Sequence, residues 1–206
     1  MNYLAHGRDI LDRPYELAGT ALPDWLSACD RSARLRRGTV AAAMGEVAQG
    51  VRRHIREDLW FHGTRAFLEV SGILARRLRE SDREARAAFY GHVLTEMLLD
   101  AALMARRPGL LDGYYAALDR VDPRRIDAVA ASWTTAPPNG LIGFIDLFRR
   151  TRFLEGYATD GGLLARLDGV ARRVGAPLPR GTADVLPGAR RLVAERADDL
   201  LTEPPR

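Results

Sequence analysis

Between residues 91 and 100 the chain reads Gly-His-Val-Leu-Thr-Glu-Met-Leu-Leu-Asp, and few folds accommodate that string. His92, Glu96 and Asp100 stand four apart. On an α-helix each step of four turns only about 40°, so the three side chains share one face. Leu94, Met97, Leu98, Leu99 and Leu103 crowd the rest of the circumference, which places the polar face inside a protein rather than against water. A second string, residues 53–62, repeats the spacing with His54, Asp58 and His62. Two such helices face to face would gather imidazoles and carboxylates in one interior. Burying those groups is costly unless each is paired or bound to a metal.

Nothing elsewhere alternates as a strand would. Ala, Leu, Arg and Glu dominate, all good helix formers. The expected fold is therefore all-α, a single-domain helical bundle over residues 1–206, and an apolar share of 47% is enough for a core. Helices are expected over residues 3–10, 14–19, about 32–61 with one interruption, 65–79, 109–118, 124–133, 141–156, 163–174 and 185–201. The longest is expected to open at the capping box Ser81-Asp-Arg-Glu84 and run to Arg106, where Pro108-Gly109 stops it. Residues 19–24 read as a break because they hold Gly19 and Pro23, residues 136–140 as a loop, and 202–206 as a frayed tail.

The charge pattern excludes some functions. The net charge is +4, with no lysine: all 31 basic residues are arginine. That excess suits an acidic partner, but no basic stripe interleaved with aromatics is present, so nucleic acid is not expected as a ligand. No apolar run reaches membrane-spanning length, and the first residues lack a secretory pattern. A single cysteine, Cys29, rules out an internal disulfide and fits a reducing, cytoplasmic setting. There is no GxGxxG after a strand and no Walker-type loop ending in lysine.

Chemistry is then concentrated in the two four-spaced triads. The bland alternatives are hydrogen-bonded core histidines, and salt bridges from Glu96 and Asp100 to Arg52, Arg53 or Arg56. For Asp58 the bland alternative is i,i+4 pairing on a solvated face. A divalent cation would satisfy neutral imidazoles and ionised carboxylates together, and mixed nitrogen and oxygen donors suit Mn, Fe or Zn better than Ca or Mg.

The opening Met1-Asn-Tyr-Leu-Ala-His6, and Gly19-Thr-Ala-Leu-Pro-Asp24 after it, resemble the start of the acyl carrier protein phosphodiesterase family. Gly50-Val-Arg-Arg-His54 leading to Asp58 is similar to that family's histidine-rich helix, and Glu96 and Asp100 match its next carboxylate pair. A weaker similarity continues through Leu167-Asp-Gly-Val-Ala-Arg172. The family resembles a divergent branch of the HD-domain phosphohydrolases, which are helical and use a divalent metal, typically manganese. Its members release 4'-phosphopantetheine from holo acyl carrier protein.

The resemblance implies metal ligands drawn from His6, Asp24, His54, Asp58, His62, His92, Glu96 and Asp100, with acyl carrier protein as an acidic partner. Asp58 or Glu96 is then expected to accept a proton from water, and Arg52 and Arg56 to steady phosphate charge. This chain departs from the family pattern at Arg52, His62 and Ala101. A non-catalytic binding protein on the same fold and a nucleotide phosphohydrolase are the competing expectations.

Overall fold

The computed structural model describes residues 1–83 and 86–203. Its described residues form an all-helical fold, with 75% of them in helices. The order is α1 (Tyr3–Gly7), α2 (Pro14–Cys29), α3 (Arg37–Ala42), α4 (Glu46–Phe61), α5 (Arg65–Ser81), α6 (Ala87–Arg106), α7 (Leu110–Asp119) and α8 (Pro123–Trp133). There follow α9 (Leu141–Arg150), a 3-10 segment (Phe153–Ala158), α10 (Asp160–Val174), α11 (Thr182–Glu195) and α12 (Ala197–Leu201). Among the described residues no helix is long and apolar enough to cross a membrane. Contacts divide the chain into two compact units: residues 1–5, 59–108 and 154–206 in one, 6–58 and 109–153 in the other.

In the unit of residues 6–58 and 109–153, α2 is the helix the others gather on. Leu17, Ala18, Ala21, Leu22, Trp25 and Leu26 are all buried. Trp25 packs edge-on against Phe148 of α9, with centroids 5.7 Å apart, and α7 also lies against α2. The expected break at residues 19–24 does not occur, because α2 runs through both Gly19 and Pro23. The glycine serves packing instead. A Cβ on Gly19 would stand 2.3 Å from the carbonyl oxygen of Val47, and one on Gly50 would stand 2.0 Å from that of Glu16. Only two glycines let the α2 and α4 backbones touch.

Local signals explain the ends of several helices. Asp122 caps α8 by accepting from Arg124 N–H, with Pro123 in the first turn. Thr64 caps α5 through Phe67 N–H. The helix expected over 141–156 ends at Arg150, where Arg149 turns back to the carbonyls of Leu118 and Val121 and Arg152 adopts a positive φ of 43°. The expected helix over 185–201 is two helices, α11 and α12. Residues 32–36 are not helical: Leu35 bridges to Thr134, and Arg36 N–H donates to Trp133 O.

In the unit of residues 1–5, 59–108 and 154–206, α5 and α6 make the most extensive contact and α11 packs on both. Gly91 is again a point of close approach, since its Cβ would meet Ser71 O at 2.6 Å. The expected capping box falls partly on Glu84, outside the described residues. Ser81 closes α5, its hydroxyl donates back to Arg77 O, and α6 starts at Ala87. The tail expected at 202–206 falls outside the described residues from 204 onward.

Gly50→Ala should lose about 3 kcal/mol, since backbone rather than a flexible side chain fills the space. Gly72→Ala, facing open space on α5, should gain up to ~1 kcal/mol from helix propensity. Chemical denaturation of the two variants checks this. Equal stability would remove the argument for close approach.

Candidate metal centre

His54 and Asp58 lie one turn apart on α4, and His6, near the end of α1, joins them. The two imidazoles stack with centroids 4.3 Å apart and planes tilted by 31°. His6 Nε2 lies 3.2 Å from Asp58 Oδ1, and His54 Nε2 lies 3.3 Å from Asp58 Oδ2. The His6 side chain is fully buried, whereas Asp58 remains 29% exposed. One edge of the group therefore opens toward solvent.

The other ring nitrogens are already engaged. His6 Nδ1 is 2.7 Å from Glu57 Oε2, and His54 Nδ1 is 2.9 Å from Thr20 O. A carbonyl oxygen only accepts, so His54 carries a proton on Nδ1, and in the neutral ring Nε2 keeps its lone pair. Glu57 is fixed in turn by Arg53 Nε at 2.8 Å. A carboxylate behind one imidazole and a carbonyl behind the other are the partners that orient histidines for a metal. The Gly19–Gly50 contact is what brings the Thr20 carbonyl of α2 within reach of α4.

The electrostatics follow from the same contacts. Burial opposes a charged His6, yet the carboxylates of Asp58 and Glu57 outweigh it and raise His6 above the usual histidine value. Burial likewise works to raise Asp58, but His54 and His6 reverse this and hold its carboxyl far below the ordinary range. Glu57 is lowered against burial by His6, with Arg53 assisting. Asp58 is thus an anion at any working pH.

A divalent ion fits these residues. Among the described residues, buried His6 Nε2 makes no hydrogen bond, its approach to Asp58 being close but misaligned. Two imidazole nitrogens and a carboxylate, all within 4.8 Å of one another, are a donor set for Mn, Fe or Zn.

A second group combines His62, in the turn just past the end of α4, with His92 and Glu96 of α6. His62 Nε2 is 2.8 Å and His92 Nε2 3.2 Å from Glu96 Oε1, and the Met1 backbone nitrogen is 3.2 Å from that oxygen. Burial pushes the Glu96 carboxyl up. The Met1 nitrogen and both imidazoles more than offset it, leaving Glu96 well below its usual value.

The expected triads are therefore regrouped. His54 and Asp58 pair with His6, while His62 pairs with His92 and Glu96. Asp100 joins neither group. It is buried and accepts the N–H groups of Leu4 and Ala5 at 3.0 and 2.9 Å, so the charge expected to bind a metal serves the first turn of α1. Asp24 is half-buried on α2, one turn beyond Thr20, and is also outside both groups.

Arg52 is committed to the carbonyls of Val40 and Ala43, at 3.0 and 2.7 Å, closing the end of α3. Arg56 is exposed. Each lies two residues, about 200° of helix, from a ligand, so α4 turns both away from the group. The sequence reading missed Glu57, although His54-x-x-Glu57-Asp58 with Arg53 four residues before the glutamate was visible. It also missed the Thr20 carbonyl, which no side-chain pattern announces.

Compared with known protein families, curated proteins and solved structures, the chain gives no match.

Because a metal must displace the proton on His6, Mn(II) affinity should climb as pH rises through the elevated His6 value and level off above it. Glu57→Gln should weaken binding by roughly 10- to 100-fold. It should also move that climb to lower pH, since the charge holding the proton is gone. Calorimetric titration across pH 6–9 measures both effects. A pH-independent affinity, or an unchanged one in the variant, contradicts this arrangement.

Proposed function

We propose that the chain is a metal-dependent phosphohydrolase on an HD-domain-like helical scaffold, with His6, His54 and Asp58 as ligands. One observation carries the reading: two buried imidazoles turn their Nε2 atoms to one carboxylate while Glu57 and Thr20 hold both Nδ1 atoms. Held rings and an ionised Asp58 need no rearrangement to bind a cation. When bound, a divalent ion lowers the pKa of a water toward neutrality and offsets phosphoryl charge. Manganese is the ion the family resemblance favours, and iron and zinc suit the same donors.

The chain's own residues divide the remaining work. Asp58, with one oxygen toward each imidazole, acts as ligand. Glu96 belongs with His62 and His92, so neither carboxylate is assigned as the base. Asp24, one turn beyond Thr20 on α2 and among the residues that carry the resemblance, is the residue we assign to take the water's proton. The partly exposed edge at Asp58 admits a phosphate ester. The proposed substrate is the phosphodiester between 4'-phosphopantetheine and acyl carrier protein, an acidic partner suited to a chain of net charge +4. This choice rests on the resemblance in His6, Asp24, His54 and Asp58.

Mn(II)-loaded protein should hydrolyse bis-p-nitrophenyl phosphate and release 4'-phosphopantetheine from holo acyl carrier protein. His54→Ala and Asp58→Ala should each lower turnover at least ~100-fold together with bound metal, and Asp24→Asn should lower kcat while the metal stays. Hydrolysis of the first ester alone would move the reading to another phosphohydrolase, such as one acting on nucleotides. No hydrolysis of either, with Mn(II) bound at His54, would favour a binding protein on this fold.

A further inference from the structure

We infer that His62, His92 and Glu96 form a second, separate site for a divalent transition ion, weaker than the first and filled after it. The inference does not rest on the hydrolase reading. Both imidazoles aim Nε2 at a single oxygen, Glu96 Oε1, from 2.8 and 3.2 Å. Donors held at about 2.0–2.2 Å from an ion stand roughly 3.0–3.5 Å from one another, so small adjustments admit one. The Met1 nitrogen, 3.2 Å from the same oxygen, is the contact that an ion would displace.

The rings are also held in place. Phe67, itself buried, lies with its centroid 5.0 Å from that of His62 and 4.9 Å from that of His92, edge to face in both cases. Phe61 adds a contact on His62 at 5.4 Å. The two imidazoles lie 4.6 Å apart. An apolar wall behind two converging nitrogens limits their freedom without competing for the ion.

The class of ion and the order of filling follow from the donors. Two imidazole nitrogens and one carboxylate select a first-row divalent ion such as Zn(II) over Ca(II) or Mg(II). The His62 and His92 side chains are 32% and 40% exposed, and among the described residues neither Nδ1 has a hydrogen-bond partner. The first group has Glu57 and Thr20 in that role. Such outer partners are worth about 10- to 100-fold in affinity, so the second site should be weaker by that factor.

The test is equilibrium dialysis of the chelator-stripped full chain against Zn(II), with bound metal measured by elemental analysis and folding checked by circular dichroism. Wild type should bind two equivalents, the second needing at least 10-fold more free Zn(II). His92→Ala and Glu96→Gln should each lose the weaker equivalent and keep the tighter one, and His54→Ala should do the reverse. His92 is half-exposed, so that variant keeps the test usable if Glu96→Gln destabilises the fold. Two equivalents retained in both His92→Ala and Glu96→Gln would overturn the inference, as would a wild type whose sole equivalent vanishes in His54→Ala. One equivalent lost in His92→Ala but kept in His54→Ala would uphold a site at His62, His92 and Glu96, overturn its place as the weaker of two, and remove the metal centre of the proposed hydrolase.

Discussion

The contact between Gly19 and Gly50 is the constraint on which the candidate centre depends. Helix axes ordinarily stay 8–10 Å apart because side chains intervene. Here a β-carbon on either residue would overlap the other helix's backbone, and the space it would take is given to a close approach of α2 and α4. That approach brings the carbonyl of Thr20 to His54 Nδ1 at 2.9 Å. The tautomer of His54, and the direction its free nitrogen faces, follow from a packing choice made four residues earlier on α4.

Charge arrangement completes what packing begins. Burial by itself would lower an imidazole placed like His6 and raise carboxylates placed like Glu57 and Asp58. Each reverses the other's tendency: the carboxylates raise His6, and the imidazoles lower the carboxylates. A cation bound between these atoms would take the place of the proton that the carboxylates favour on His6.

Much of this was legible in the sequence. Periodicity and composition gave the all-helical class, and the helix starts expected at 65 and 124 hold to within a residue, because capping by Thr64 and Asp122 depends on neighbouring residues alone. The i,i+4 spacing found His54 with Asp58 and His92 with Glu96, pairs internal to a helix. Partners across helices were not legible from spacing. His62 left its own triad for α6, and Asp100 turned to the first turn of α1, because both outcomes depend on which helix packs where. Gly19 and Pro23 misled as a break, since composition alone does not distinguish a glycine that ends a helix from one that lets a neighbour in.

The most direct measurement is a crystal of the full chain soaked in Mn(II), with data collected at the manganese absorption edge. An anomalous peak is expected about 2.0–2.3 Å from Nε2 of both His6 and His54 and from a carboxylate oxygen of Asp58, with Nδ1 of each ring still on Glu57 and Thr20. A saturating soak that leaves no peak there, or one that coordinates through Nδ1, would contradict that centre.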